Sequence, residues 1–173
     1  PDFECIQSWV TGYDVRDGDA TLAFIEGSNR YHKTVAEEFE LSNPSDWNPI
    51  DDEQLSYYTD TLGLKERTIT CPAGSMVFWD SRTIHCGIEA SKNRIIPNIR
   101  AVIYLCYMPR NLCSKANLKK KQKAFNELRT TSHYPCNIKL FPKTPRTYGG
   151  DIPKIKLIQE PILNELGKTL AGF

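Results

Sequence analysis

The chain has 173 residues, of which 40% are hydrophobic and 25% are charged, as is typical of one folded domain with its own core. These proportions exclude a disordered or collagen-like chain, and no stretch approaches the roughly 18 uninterrupted apolar residues that a membrane span needs. No signal-peptide pattern is visible. Because the first residue is Pro1 rather than methionine, we expect the chain to be the C-terminal portion of a longer protein.

Strands are predicted where β-branched and aromatic residues cluster between turn residues, at 3–13, 20–26, 67–71, 75–80, 83–87 and 99–107. Helices are predicted at 33–40, 51–62, 111–129 and 161–170. Several short strands joined by turns indicate a sandwich or barrel with added helices. We therefore expect a mainly β protein that forms a single domain over 1–173, in which 111–173 is a helical and proline-rich extension.

The net charge of +1 conceals an uneven distribution of charge along the chain. Residues 1–62 carry 14 acids against 3 bases, whereas residues 110–146 carry 10 bases against one acid, Glu127. Such asymmetry is typical either of an electrostatic partner surface or of regions that are simply solvated.

The six cysteines include no Cys-x-x-Cys pair, which argues against a zinc ribbon or a redox motif. Most of them lie in apolar, strand-like runs, where a free cysteine behaves as a small hydrophobic residue. We expect reduced thiols in an intracellular, cytoplasmic protein; the even count leaves a disulfide framework as the alternative.

Two residues are the strongest candidates for chemistry. His85 follows an apolar strand and has Gly87 beside it, and Arg100 opens the most strand-like run of the chain. An arginine in that position needs an anion, and its planar fork matches a small carboxylate. Two interpretations remain open from the residues alone: a site for a metal and an organic acid together, or a core histidine and an arginine in a structural ion pair.

The stretch CPAGSMVFWDSRTIHCG followed by RAVIYLCYMPR resembles the second half of the phytanoyl-CoA dioxygenase-like (PhyH) family of Fe(II)/2-oxoglutarate oxygenases. The earlier stretch WVTGYDVRDGDATLAFIEGSNRYHK is similar to two strands of that family and the Gly-Ser-His segment after them. The resemblance covers about residues 3–30 and 68–110. It implies a double-stranded β-helix (a cupin-like jelly roll) that uses iron, 2-oxoglutarate and O₂ to hydroxylate a small-molecule substrate, here an unknown one.

The resemblance also assigns residues to this site. It implies that His85 is the distal histidine of a 2-His-1-carboxylate iron triad and that Arg100 binds the distal carboxylate of 2-oxoglutarate. Arg94 is the fallback for the arginine, since the loop before Arg100 is long. The resemblance places Trp9 in the lining of the cosubstrate pocket and Gly87 where a small residue touches 2-oxoglutarate. At position 29 an asparagine stands where the family commonly has histidine.

One departure from the family is large. No His-x-Asp or His-x-Glu, the motif that supplies the other two ligands, occurs in the sequence. We expect that motif upstream of Pro1; Asp2 lies near its position but has no histidine two residues before it, and we do not expect it to be a ligand. The alternative function is a jelly-roll binding or structural module without a metal site.

The remaining candidates are weaker. We expect His32 and His133 to be surface residues, and no membrane partner is expected. The lysine-rich run at 119–123 could contact nucleic acid or an acidic protein face. Since no aromatic residues alternate with those lysines, we expect a solvated helix face and no nucleic-acid partner.

Overall fold

A computed structural model describes residues 5–41, 47–144, 150 and 156–173. The chain divides into two compact units, Pro1–Tyr107 and Met108–Phe173, and the boundary falls just before residue 111, where we expected the C-terminal extension to begin. Among the described residues, none of the helices has the length and apolar character that crossing a bilayer requires.

The first unit contains six short strands, each of which overlaps a predicted one: β1 (Ile6–Thr11), β2 (Thr21–Ile25), β3 (Glu66–Thr68), β4 (Met76–Asp80), β5 (His85–Ile88) and β6 (Val102–Tyr107). They form two antiparallel sheets of three strands, one in the order β4-β1-β6 and the other in the order β3-β2-β5. The prediction of a mainly β fold with added helices is therefore confirmed. The described strands do not close into a barrel.

Two helices lie between β2 and β3. A 3₁₀ turn leads into α1 (His32–Glu38), and α2 (Asp52–Ser56) continues as a π-helical turn through Thr61, so the predicted helix at 51–62 is two helical segments in sequence. The Asp51 side chain caps α2 by accepting a hydrogen bond from the backbone N–H of Gln54, at 2.8 Å. This is the helix start that the acids in this segment predict.

The helices cover one face of the second sheet. Ile25 of β2 packs with Val35 of α1 and Tyr58 of the π-helical turn, and all three are at most 3% exposed. Burial raises the pKa of the Tyr58 phenol to about 12. His85 and Gly87 lie on the opposite face of this sheet, together with their cross-strand partners Phe24 and Leu22.

The second unit is organised around α3 (Lys115–Asn126) and α4 (Glu165–Ala171). The predicted helix at 111–129 begins later than expected because Ser114 caps α3, and residues before it form a 3₁₀ turn. The buried Asn117 side chain donates to the carbonyl of Pro135 at 2.8 Å and accepts from the N–H of Ile138 at 2.9 Å. These bonds attach the proline-rich segment to α3.

The six cysteines form no disulfide. Cys5 is buried in the first unit, and hydrogen bonding with Cys5 together with burial raises the pKa of the Cys106 thiol. The Cys106 thiol is therefore protonated at neutral pH.

A buried hydroxyl joins the end of β2 to the start of β5. Ser28 is 0% exposed; its Oγ donates to the carbonyl of Ile25 at 2.8 Å and accepts from the N–H of Ile84 at 2.9 Å. Ile84 directly precedes β5, so the hydroxyl fixes the start of that strand against the end of β2.

We predict that Ser28→Ala lowers the free energy of unfolding by about 1–3 kcal/mol, because it leaves the buried N–H of Ile84 without an acceptor. Urea denaturation measures the loss. Ser56→Ala, which removes an exposed hydroxyl bonded to Asp60, is the control and should cost much less. Equal losses in the two variants would show that the Ser28 bridge contributes nothing.

Candidate functional site

His85 is held in one tautomer by its own turn. It is the first residue of β5, and its Nδ1 lies 2.7 Å from the carbonyl oxygen of Thr83. Since a carbonyl can only accept, Nδ1 carries the proton and Nε2 of the neutral ring keeps a free lone pair. No described residue forms a hydrogen bond to Nε2. Metal-binding histidines have this arrangement, in which the second nitrogen donates to a backbone carbonyl.

The turn that delivers His85 is fixed by an ion pair. Arg82 donates from Nε to Oδ1 of Asp80 at 3.0 Å and from Nη2 to Oδ2 at 2.7 Å, and the Asn29 amide donates to Oδ2 at 3.3 Å. Burial alone would raise the pKa of Asp80, but the hydrogen bonds from Arg82 and Asn29 outweigh it and lower that pKa. The asparagine that departs from the family pattern therefore has a structural partner.

One face of the first sheet is turned toward His85. The rings of Trp79 in β4 and His85 meet edge to face with their centroids 5.5 Å apart. The Trp79 indole N–H donates to the side-chain oxygen of Gln7, its cross-strand partner, at 2.7 Å. Because side chains alternate along a strand, Gln7 and Trp9 share this face.

Trp9 lies at the centre of that face with an unsatisfied donor. It is only 1% exposed, and its indole N–H has no hydrogen-bond partner among the described residues. A buried polar group without a partner is rare in folded proteins and costs about 1–3 kcal/mol. Trp9 pairs with Val77 on one side and with Tyr104 on the other.

Gly87 lies on the same face of the second sheet as His85, since the two are separated by one residue in β5. No heavy atom of the described chain lies within 4 Å of the position that a Cβ would occupy there. Gly87 therefore borders open space rather than a packed wall, and its cross-strand partner is Leu22 of β2.

Arg100 immediately precedes the strand segment that leads into β6, and it forms no ion pair with any described residue. Its Nη2 donates to the Tyr104 hydroxyl at 2.9 Å, and its guanidinium carbon lies 5.9 Å from the centre of that ring. Tyr104 pairs with Trp9 across the sheet, so the aromatic platform that supports Arg100 is on the Trp9 face. An exposed guanidinium held in this way is available to an anion.

Arg94, the fallback, is engaged elsewhere. Its Nη2 forms an ion pair with Oδ1 of Asp19 at 2.5 Å, and both side chains are largely buried. A guanidinium already paired with a carboxylate is a poor candidate for a second one, and of the two arginines only Arg94 is paired in this way among the described residues.

The other candidates contribute little. His32, which we expected at the surface, is half-buried at the start of α1; burial, followed by the charge of Arg82, lowers its pKa. His133 is exposed in the second unit, as expected. Lys119 and Lys120 of the lysine-rich run are exposed on α3. Asp2 lies outside the described residues.

Sequence reasoning missed two contributors, Tyr104 and Thr83. Tyr104 could have been predicted from the sequence, because a residue four positions after Arg100 on a strand lies on the same face as Arg100. Thr83 acts through its backbone carbonyl, and no side-chain pattern reports that.

A complete metal site is not formed by the described part of the chain, in which no three His, Cys, Asp or Glu side chains cluster. His85 alone has the geometry of a ligand. A resident iron would need two further protein ligands to complete a facial triad.

Comparison with known proteins finds a distant similarity to a curated protein. The chain is 22% identical over 138 residues to Ava biosynthesis cluster protein O of Aspergillus versicolor, in an alignment that covers 76% of this chain and 44% of that protein. The chain thus spans less than half the length of that relative. No protein-family model matches the chain.

We predict that Trp9→Ala destabilises the protein by about 3–5 kcal/mol, because it empties a fully buried site, whereas Trp9→Phe costs only about 1–2 kcal/mol. The phenylalanine keeps most of the ring volume, and the N–H that it removes has no hydrogen-bond partner among residues 5–41, 47–144, 150 and 156–173. Urea denaturation of both variants tests this. A Trp9→Phe loss as large as that of Trp9→Ala would mean that the N–H has a structural acceptor.

A second prediction concerns acid stability. Because the pKa of Asp80 is below the ordinary 3.8 in the folded state, its stabilising effect is complete above 3.8 and is lost as the pH falls through the folded pKa. Asp80→Asn should therefore be less stable than wild type at neutral pH, and its stability should decline less between pH 5 and about pH 2. Melting temperatures across this range measure it, with Asp17→Asn as the control; parallel curves would contradict the prediction.

Proposed function

We propose that this chain is the C-terminal portion of an Fe(II)/2-oxoglutarate-dependent dioxygenase of the phytanoyl-CoA dioxygenase-like family, which hydroxylates a small molecule. The observation that carries the proposal is the geometry of His85, whose Nδ1–H is held by Thr83 and whose Nε2 is free beside the Trp79 ring. Such a histidine on an inner sheet face is suited to bind a metal.

The strand pairing supports a jelly roll. β1 pairs with β4 and β2 with β3, as in a folded antiparallel ribbon, and then β5 adds to β2 and β6 adds to β1. Five connections join these strands, and four of them cross between the sheets. A jelly roll has eight strands in two sheets, and in the wrapped ribbon the missing partners of β5 and β6 would precede β1.

The edges of the two sheets agree with this interpretation. β3 is a short edge strand with the sequence Glu-Arg-Thr, which is the charged type that natural proteins leave open. β6 is a longer edge strand with the sequence VIYLCY, and its Ile103 is 66% exposed. An apolar edge of this length is normally covered, and we propose that a strand from the longer protein pairs with it.

The iron ligands would likewise come partly from this chain and partly from the rest of the longer protein. His85 would be one ligand, and a His-x-Asp or His-x-Glu segment of the longer protein would supply the other two. Bound iron supplies the activation of O₂ that couples oxidation of a substrate C–H bond to decarboxylation of 2-oxoglutarate.

The chain's own residues would bind and orient the cosubstrate. Arg100 pairs with no carboxylate of the described residues, and the Tyr104 hydroxyl holds its guanidinium, so the pair can receive the distal carboxylate of 2-oxoglutarate. Trp9 would supply an apolar wall with one free N–H donor, and the open space at Gly87 would admit the ligand. The relative's name, a biosynthesis cluster protein, agrees with a small biosynthetic molecule as the substrate.

The test uses the protein expressed from its complete reading frame. Anaerobic addition of Fe(II) and 2-oxoglutarate should produce the weak visible metal-to-ligand charge-transfer band. His85→Ala should abolish the band because a ligand is lost. Arg100→Ala should weaken 2-oxoglutarate binding about ten- to hundredfold, the value of one or two charged hydrogen bonds.

Matched controls come from the second unit. His133→Ala and Arg110→Ala remove the same side-chain types outside the site and should leave the band and the affinity unchanged. A folded wild-type protein that gives no band would favour the alternative function, a jelly-roll module that binds or assembles without a metal.

A further inference from the structure

The loop between His85 and Arg100 is attached to the turn at residues 16–20. The backbone N–H of Ser91 donates to the carbonyl of Gly18 at 2.9 Å, and the Asn98 side chain accepts from the N–H of Ala20 at 3.1 Å. Both ends of the segment 91–98 are therefore fixed to the 16–20 turn, which itself joins β1 to β2.

Asp19 is the centre of this attachment. Its Oδ2 accepts from the backbone N–H of Arg16 at 2.6 Å and so closes its own turn, while its Oδ1 pairs with Arg94 of the loop. Arg94 in turn donates from Nε to the carbonyl of Ile96 at 3.2 Å. The side chains of Asp19 and Arg94 are 11% and 20% exposed, so water screens this pair far less than a surface pair.

Gly18 makes the close approach possible. Its φ is +76°, and a Cβ there would come within 3.2 Å of the Ser91 hydroxyl. The turn thus has both the backbone conformation and the missing side chain that the docked loop requires.

We propose that Asp19 and Arg94 are positioning residues for 2-oxoglutarate binding, an inference that rests on the proposed function. The loop docked by this pair ends at Asn98, two residues before Arg100, and the N–H of Gly12 donates to the carbonyl of Ala101 at 2.8 Å just beyond it. Arg100 is therefore held between two fixed points.

This attachment restricts the long loop between His85 and Arg100, which would otherwise leave the position of Arg100 poorly defined. Arg100 is exposed and depends on Tyr104 alone for a side-chain hydrogen bond within the described residues. Without the pair between Asp19 and Arg94, the loop could place the Arg100 guanidinium over a wide range of positions. A displacement of about 1 Å at a binding group can cost up to a hundredfold in function.

The experiment measures 2-oxoglutarate binding in the protein from the complete reading frame, with the variants Asp19→Asn and Arg94→Lys. Isothermal titration with the Fe(II)-loaded protein under anaerobic conditions should show 2-oxoglutarate affinity about tenfold weaker in each variant, while Fe(II) affinity stays within about twofold. Hydrogen exchange of the amides at 89–99 should become faster, because the loop is released. Arg94→Lys keeps the positive charge but loses the planar guanidinium with its several N–H donors, so it separates the effect of hydrogen-bond geometry from that of charge.

Two further variants complete the design. Glu26→Gln breaks the exposed pair with Arg67 between β2 and β3 and should change neither affinity nor exchange of the loop. The double variant Asp19→Arg/Arg94→Asp restores an ion pair and should recover part of the 2-oxoglutarate affinity.

The outcomes separate the two proposals. Faster exchange of the loop with unchanged 2-oxoglutarate affinity overturns the inference and leaves the proposed function standing. An equal loss of Fe(II) and 2-oxoglutarate affinity also overturns it, since the pair would then support the fold in general. A wild-type protein that binds no 2-oxoglutarate overturns both.

Discussion

The pair between Asp80 and Arg82 is the interaction on which the arrangement of the first unit depends. It fixes the short turn in which the chain leaves one sheet and enters the other, and it does so with two parallel hydrogen bonds rather than a single contact. The turn delivers His85 to the inner face and orients its ring through the carbonyl of Thr83. Ser28 anchors the same turn from β2. Few residues thus determine where the histidine lies and which nitrogen is free.

The inner faces of the two sheets are not packed as an ordinary core would be. An ordinary core satisfies each buried donor and fills each gap, because an orphaned N–H and an empty space each reduce stability. Here, within the part of the chain that the structure describes, the buried indole N–H of Trp9 has no hydrogen-bond partner, Gly87 borders open space, and Arg100 contacts Tyr104 instead of a carboxylate. These three features share the faces that meet at Trp79 and His85, and a polar ligand would relieve all of them.

Sequence patterns predicted the strands and the class of fold, because alternation and turn residues are local signals. They predicted a segment that overlaps each strand of the described residues. They failed mainly at two helix starts, which lie four residues later than predicted because the side chains of Ser114 and Asn164 cap the helices there. His85 and Arg100 were candidates from the sequence pattern alone, whereas Trp9 and Gly87 came from a resemblance. The faces on which these residues lie followed only from the strand register. The roles of Arg94 and Arg100 could not be separated by sequence, since both are arginines in one loop; the carboxylate of Asp19, far away in the chain, distinguishes them.

The open edge of β6 has a consequence for how this protein is handled. Unpaired backbone N–H and C=O groups beside exposed apolar side chains form a template to which any extended chain can add. When these 173 residues are produced on their own, edge-to-edge aggregation at β6 is expected to compete with folding. Low solubility of the chain would then result from the exposed edge of β6 and would say nothing about the candidate site.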